Sequence, residues 1–320
     1  MKLTKIYDCS NSAERPPHRS ESFGPKENDV VRGLKKHCKL FGCEFVDKPE
    51  DADVLFTNDV YPASVLKLDK PKVKRMDGVY WHKDLIERNN PLNTAAIQSD
   101  AVIFISRYSM ESFKVLYGSD ILKKATVALN CVDTDVFFPM DVYSNDWVAS
   151  ASNWGRQDKR FEDLMFFAEE LIPDGTLYLI GNCDAKVPPN VLKYGHLDSE
   201  ERMGQILNIG GAFINLSYRD PAPKVVCQAI NCGLPILYAD SGGTNELVDA
   251  YGVGIGIKDE SKLVFESLTP RLKESDMRTA FDTFEQGFKD LKTMARACSR
   301  TMRMDYMEFL SDYFNILRKL

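Results

Sequence analysis

The stretch AFINLSYRDPAPKVVCQAINCGLPILYADSGGTNELV, residues 212–248, reads as strand, loop, helix, strand, tight turn and helix. Ala212–Leu216 and Pro235–Ala239 are apolar runs of strand length. Lys224–Asn231 carries apolar residues at helical spacing and stops at Gly233, while Gly242 and Gly243 permit a sharp turn into a helix over Asn245–Ala250. Short buried strands separated by helices are βα units, and such units build a parallel sheet with helices on both faces.

Outward from this stretch the same alternation recurs. Upstream lie strands at Trp147–Ala151, Leu177–Ile180 and Val191–Tyr194, with helices over Phe161–Leu171 and from Ser199 through Leu207; downstream lies a last strand, Val253–Ile257. The first half repeats the rhythm at Lys2–Asp8, Glu44–Val46, Asp53–Thr57, Lys72–Met76, DAVIFIS (100–106) and Ala125–Leu129. Its clearest helices run from about Glu27 to Phe41, stopping at Gly42, and from a cap at Ser106 or Ser109 to Gly118. Asp133–Asn145 breaks the pattern and serves as a linker. The fold class is therefore α/β, with two doubly wound parallel-sheet domains: residues 1–140, residues 141–300, and a helix over 301–320 returning to the first domain. A chain of 320 residues is long enough for two cores. Ligands in such sheets bind beyond the C-terminal strand ends, so two facing domains would line one cleft. Residues 276–320 contain no proline and one glycine, Gly287, and keep large apolar residues at helical spacing, which predicts at least two helices there.

Composition narrows the partners. With 41 basic and 47 acidic residues the net charge is −6, which speaks against a broad nucleic-acid surface but leaves room for a local pocket for one diphosphate. The start is too short and polar for a signal peptide, and no apolar run approaches the roughly 18 residues of a membrane span. The eight cysteines show no metal-ligand spacing and read as buried thiols of a reducing, cytoplasmic setting. Peripheral contact with the inner face of a membrane is compatible with the basic helix carrying Arg32, Lys35, Lys36 and Lys39.

Candidate chemistry gathers at strand ends. SASNWGRQDKR (150–160) places Arg156, Lys159 and Arg160 where a loop enters a helix, a grouping suited to a diphosphate or to a solvated turn. Trp154 in that loop reads on its own as a surface-to-core anchor. Asp220 follows a strand and could accept ligand hydroxyls or cap the next helix; Lys224 opens that helix against its dipole, and Gln228 lies one turn in. Gly242 and Gly243 offer backbone amides, and Thr244 and Glu246 follow them. In the first half, KRMDGVYW (74–81) sets Arg75 and Asp77 at a strand end, and the opening loop carries Gly24. Neither a dinucleotide glycine fingerprint nor a phosphate-binding P-loop is present, and the four histidines show no metal spacing.

Taken in order, these segments resemble the retaining glycosyltransferases of the GT-B fold, the glycosyltransferase family 4-like group acting in glycan and lipopolysaccharide assembly. The resemblance is carried by NCVDTDVFFP (130–139), with Cys131 where glycine is usual, by SNWGRQDKRFEDL, LYLIGN (177–182) and YGHLDSEERMGQIL (194–207), and most strongly by 219–248. It covers roughly residues 94–257. It implies a transferase that takes a sugar from a nucleoside-diphosphate sugar, UDP- or GDP-linked, to a glycan, lipid-linked or small-molecule hydroxyl with retention and no obligatory metal.

The same resemblance casts Arg156, Lys159 and Asp220 as catalytic, and Trp154, Lys224, Gln228, Gly242, Gly243, Thr244 and Glu246 as donor-binding. Gly24, Arg75 and Asp77 fall on the acceptor side. The chain departs from the family at two acids of its Glu-x7-Glu motif, which are here Asp220 and Gln228. Gln228 can accept from ribose hydroxyls only without charge assistance. The competing readings are a sugar-nucleotide epimerase of the same fold and a binding relative with weakened catalysis.

Overall fold

The computed structural model describes residues 3–11, 29–140, 144–259 and 262–320. The chain divides into two compact units, one of Met1–Leu129 with Met307–Leu320, the other of Asn130–Tyr306.

The first unit contains β1 (Thr4–Asp8), α1 (Asp29–His37), β2 (Cys43–Phe45), β3 (Val54–Thr57), α2 (Ala63–Leu66), β4 (Lys72–Met76), α3 (Asn89–Ile97), β5 (Ala101–Phe104), α4 (Arg107–Tyr117) and β6 (Ala125–Val127). Its six strands are ordered β2-β1-β3-β4-β5-β6, with parallel pairing such as Ile6 beside Val54 and Arg75 beside Ile103. The all-buried run of β3 is what a strand covered on both faces requires. Gly42, in the left-handed region at φ 71°, closes the turn after α1 by donating its N–H to Cys38 and Lys39 carbonyls. Of the two serines that could cap α4, Ser106 does so, its Oγ accepting the Ser109 N–H at 2.9 Å.

The second unit contains β7 (Trp147–Asn153), α5 (Phe161–Phe166), which continues as a π turn through Leu171, β8 (Leu177–Asn182), β9 (Val191–Gly195), α6 (Glu200–Ile209), β10 (Ala212–Asn215), α7 (Lys224–Asn231), β11 (Ile236–Ala239), α8 (Thr244–Asp249) and β12 (Gly254–Ile257). The order is β12-β11-β10-β7-β8-β9, again with parallel pairing throughout. The chain starts at β7, winds out to β9, then returns to β10 on the other side of β7. Open α/β sheets generally bind ligands at such a reversal, here beyond the carboxyl ends of β7 and β10. Ser199 caps α6 through the Arg202 N–H.

A single helix, α9 (Glu274–Lys319), follows. Two helices were expected over 276–320, but no proline interrupts the run and Gly287 alone costs about 1 kcal/mol, too little to break a helix packed along its length. Its earlier part serves the second unit, where Phe284 and Phe167 each lie 4.9 Å from the Trp147 ring. Each such buried aromatic contributes on the order of 1.5–3 kcal/mol relative to exposure. Its last turns belong to the first unit, where Phe314 stacks on Phe41 at 4.8 Å and Tyr313 meets the edge of Phe56 at 6.3 Å. No described helix is long and apolar enough to cross a membrane. All eight cysteines are free thiols, six of them buried.

Candidate functional site

The loops after β7 and β10 meet at the reversal point of the second sheet. After β7, Gln157–Lys159 forms a single 3₁₀ turn, closed by the Lys159 N–H on the Arg156 carbonyl at 3.1 Å. The side chains of Arg156 and Lys159 converge on one carboxylate, that of Asp158, which Arg156 Nη2 meets at 2.7 Å and Lys159 Nζ approaches to 3.6 Å. Lys159 Nζ donates to Asp220 Oδ2 at 3.0 Å and to Ser217 Oγ at 3.3 Å, both from the loop after β10. Ser217 in turn donates to Asn215 Oδ1 at 2.9 Å. Only 11% of the Lys159 side chain and 21% of the Asp220 side chain face solvent, so the pair is shielded without being sealed. The two loops are also joined through backbone, since Tyr218 N–H donates to the Asp158 carbonyl at 2.7 Å.

A third loop, after β11, is pinned to the second. The Gly243 N–H donates to the Asp220 carbonyl at 2.9 Å, and the Arg219 N–H donates to Ser241 Oγ at 2.8 Å. Gly242 sits at φ 79°, and a Cβ there would lie 2.3 Å from the Asp220 carbonyl oxygen. Glycine is thus required twice over, for backbone conformation and for the close approach of the two loops. Gly181 plays the equivalent part beside β7, where an added Cβ would fall on the Ala151 carbonyl.

Buried cations brace these loops from behind. Arg160, with a left-handed φ of 50°, turns its guanidinium inward to Asp259 (2.7 Å) and the Pro270 carbonyl (2.9 Å). Sequence grouped it with Arg156 and Lys159, but its partners lie about a hundred residues further on and take it out of that cluster. The guanidinium carbons of Arg160 and Arg219 lie 4.7 and 4.5 Å from the centre of the Tyr218 ring, and Tyr218 donates its hydroxyl to Glu266 at 2.6 Å. Burial and then the Glu266 bond push the Tyr218 phenol well above its usual range. Beside this group, burial, followed by the charges of Asp249 and Asp259, raises the Asp240 carboxyl. Asn130 Nδ2 holds the Ala222 carbonyl at 2.7 Å, and Cys227 Sγ donates back to the Asn130 carbonyl at 3.3 Å, which fixes the entry to α7. Burial drives the Cys227 thiol far above its usual range, with the neighbouring Cys131 adding to the effect.

The remaining expected residues fall into distinct groups. Lys224 and Gln228 lie on α7, Gln228 buried; Thr244 is fully buried at the start of α8, and Glu246 is half-buried in its first turn. Trp154 is a core residue, packed in the apolar cluster of the second unit with its indole N–H donated to the Ile180 carbonyl at 2.9 Å. Its ring therefore anchors the basic loop to the core. In the first unit Arg75 is only 2% exposed, pairs with Asp77, and donates Nε to the Tyr313 hydroxyl at 3.2 Å. Here the guanidinium ties the end of β4 to α9. Asp77 itself is largely exposed, and Gly24 lies outside the described residues. Asp158, Ser217 and Asn215 were missed, although the polar alternation of Asn215 and Ser217 past an apolar strand is a readable sign. Among the described residues no group of His, Cys, Asp or Glu is placed to hold a metal ion.

No protein-family model matches the chain, and no curated protein matches it in sequence. Solved structures do. AviGT4, a glycosyltransferase involved in avilamycin A biosynthesis, is 15% identical with a TM-score of 0.66, over 99% of this chain and 98% of that one. HepE of Anabaena, in complex with UDP, is 14% identical with a TM-score of 0.65, over 99% of this chain and all (100%) of its own. A glycosyltransferase of Rickettsia africae is 12% identical with a TM-score of 0.63, over 100% and 97%. At such identities the likeness is one of fold. Two Rossmann-like parallel-sheet domains with a helical C-terminal region are the architecture of GT-B proteins, and this chain has it.

Proposed function

We propose that the chain is a glycosyltransferase that moves a sugar from a nucleoside-diphosphate sugar to a hydroxyl acceptor with retention of configuration, as a member of the family 4-like group. The observation that carries this reading is the meeting of Lys159 and Asp220, from loops after β7 and β10, at the reversal point of the second sheet. Solved structures of this fold include HepE bound to UDP-glucose and to UDP, which supports a nucleotide-sugar donor here.

In this reading the bond between the anomeric carbon and the diphosphate breaks while an acceptor hydroxyl attacks. Negative charge accumulates on the departing diphosphate, and cations already fixed around it lower that barrier without reorganising. Lys159 is held in place by Ser217 and Asp220, and Arg156, which meets the same Asp158 carboxylate that Lys159 approaches, adds a fork beside it. Asp220 orients donor-sugar hydroxyls, Gln228 accepts from the ribose, Lys224 offsets phosphate charge at the start of α7, and the Gly242–Gly243 turn with Thr244 and Glu246 bounds the sugar. Trp154 takes part by anchoring the loop that carries Arg156. Asp77 and Gly24 remain the acceptor-side candidates. The acceptor is a glycan, lipid-linked or small-molecule hydroxyl, and the protein works in the cytoplasm or at the inner face of a membrane.

A thermal-shift screen against UDP, GDP, ADP, CMP and dTDP, followed by the matching sugars with and without acceptors, tests the reading. Transfer to an acceptor with retention supports it. Epimerised sugar nucleotide without acceptor, or tight binding with no turnover across the panel, refutes it. Calorimetry with the 2′-deoxy nucleotide tests Gln228 separately, because equal binding of both forms removes it from the ribose.

A further inference from the structure

The two cations assigned to the diphosphate already hold an anion of the chain's own. Arg156 presents Nε and Nη2 to the two carboxylate oxygens of Asp158, at 3.0 and 2.7 Å, and Lys159 Nζ lies 3.6 Å from the same carboxylate. A guanidinium meets a carboxylate and a phosphate with the same forked edge, so one occupant excludes the other. The 3₁₀ turn produces this arrangement locally, by setting Asp158 between two cations one turn apart.

We infer that Asp158 sets nucleotide affinity as an internal competitor, occupying the diphosphate position on Arg156 and Lys159 and swinging away when a nucleotide enters. The inference rests on the reading of those two cations as diphosphate ligands. Three features make the exchange easy. Arg156 and Asp158 are 51% and 32% exposed, so water stabilises the separated charges. The Asp158 backbone stays fixed by the Tyr218 N–H, so the movement is confined to the side chain. Lys159 keeps Asp220 and Ser217 throughout, so it does not collapse when Asp158 leaves. The consequence is weaker binding of the spent nucleoside diphosphate, and hence faster release after each turnover.

Calorimetry at fixed ionic strength with UDP, GDP and inorganic pyrophosphate, on the wild type and on Asp158→Asn and Asp158→Ser, measures the competition. Removal of an exposed ion pair sets the scale, so both variants should bind about two- to fivefold more tightly, with a matching fall in the dissociation rate. Asp174→Asn, an exposed carboxylate elsewhere in the second unit, should leave binding unchanged and so controls for net charge. Unchanged or weaker binding in both Asp158 variants overturns the inference, as does equal tightening in Asp174→Asn. Arg156→Ala and Lys159→Ala separate the two levels of argument. If they bind as the wild type does, the diphosphate reading itself falls; if they bind weakly while the Asp158 variants fail to gain, only the competitor falls.

Discussion

Replacing Gly242 with alanine tests whether the loop after β11 sets the position of Asp220. Two costs arise at this residue. A left-handed backbone at φ 79° costs an L-residue about 1–2 kcal/mol. The new methyl would also stand 2.3 Å from the Asp220 carbonyl oxygen, an atom held in place by the Gly243 N–H. Restoring ordinary contact moves the loops apart by roughly 1 Å, and strain of this kind costs about 1–3 kcal/mol. Gly195 separates the two contributions, because it has a similar φ of 68° with nothing within 4 Å of an added Cβ. Urea unfolding followed by fluorescence reports on the second unit through Trp147 and Trp154. Gly195→Ala should lose about 1–2 kcal/mol and Gly242→Ala distinctly more. Because the displaced group is Asp220, which holds Lys159, turnover of the donor should fall about 10²-fold in Gly242→Ala, the scale of a 1 Å misplacement. Equal stability losses in the two variants, together with wild-type turnover in Gly242→Ala, would refute the argument.

Three further outcomes are expected. Lys159→Ala should lower turnover by about 10²-fold or more, the scale of losing one preorganised charge-stabilising donor, and steady-state kinetics with the donor found by screening will show whether it does. Tyr313→Phe removes the acceptor of Arg75 Nε in a buried site and should cost about 1–3 kcal/mol of first-unit stability, read by urea unfolding at Trp81; an unchanged midpoint would rule out that tie. The Asp240 carboxyl is raised on folding, so its contribution to stability is full below the unfolded value and is lost as pH rises through the folded one. Asp240→Asn should therefore raise the melting midpoint at pH 7, with the gain shrinking toward pH 4, and a gain that grows on acidification would contradict the sign.

Strands such as Ile236–Ala239 and Val54–Thr57 were legible because each is a short apolar run beside Pro or Asp, placed by its own composition. The Gly242 turn was legible for a similar reason, since two adjacent glycines after a strand have few other uses. Arg160 and Arg75 were not. Each belongs by sequence to a basic group at a strand end, and each is removed from it by a partner far along the chain, Asp259 and Tyr313. Trp154 shows the same limit, because its ring direction is decided by the Ile180 carbonyl on the neighbouring strand. The tail was misjudged in segmentation alone: periodicity gave a helix but no stopping point, and one glycine is too weak a break. Lys159 and Asp220 were both singled out, yet Ser217, which completes the cradle, carries no signal except its place two residues beyond Asn215.

The assignment of Met307–Leu320 to the first unit bears on the order of events during synthesis. The sheet of the first unit lacks part of its packing until residues 307–320 are made, so Phe41, Phe56 and Arg75 wait for Phe314 and Tyr313. Asn130–Tyr306, translated later, has its own strands and most of α9 in hand before that point. Packing of the first unit is thus completed only after the whole of Asn130–Tyr306 has been made, although domains are generally expected to fold in N-to-C order.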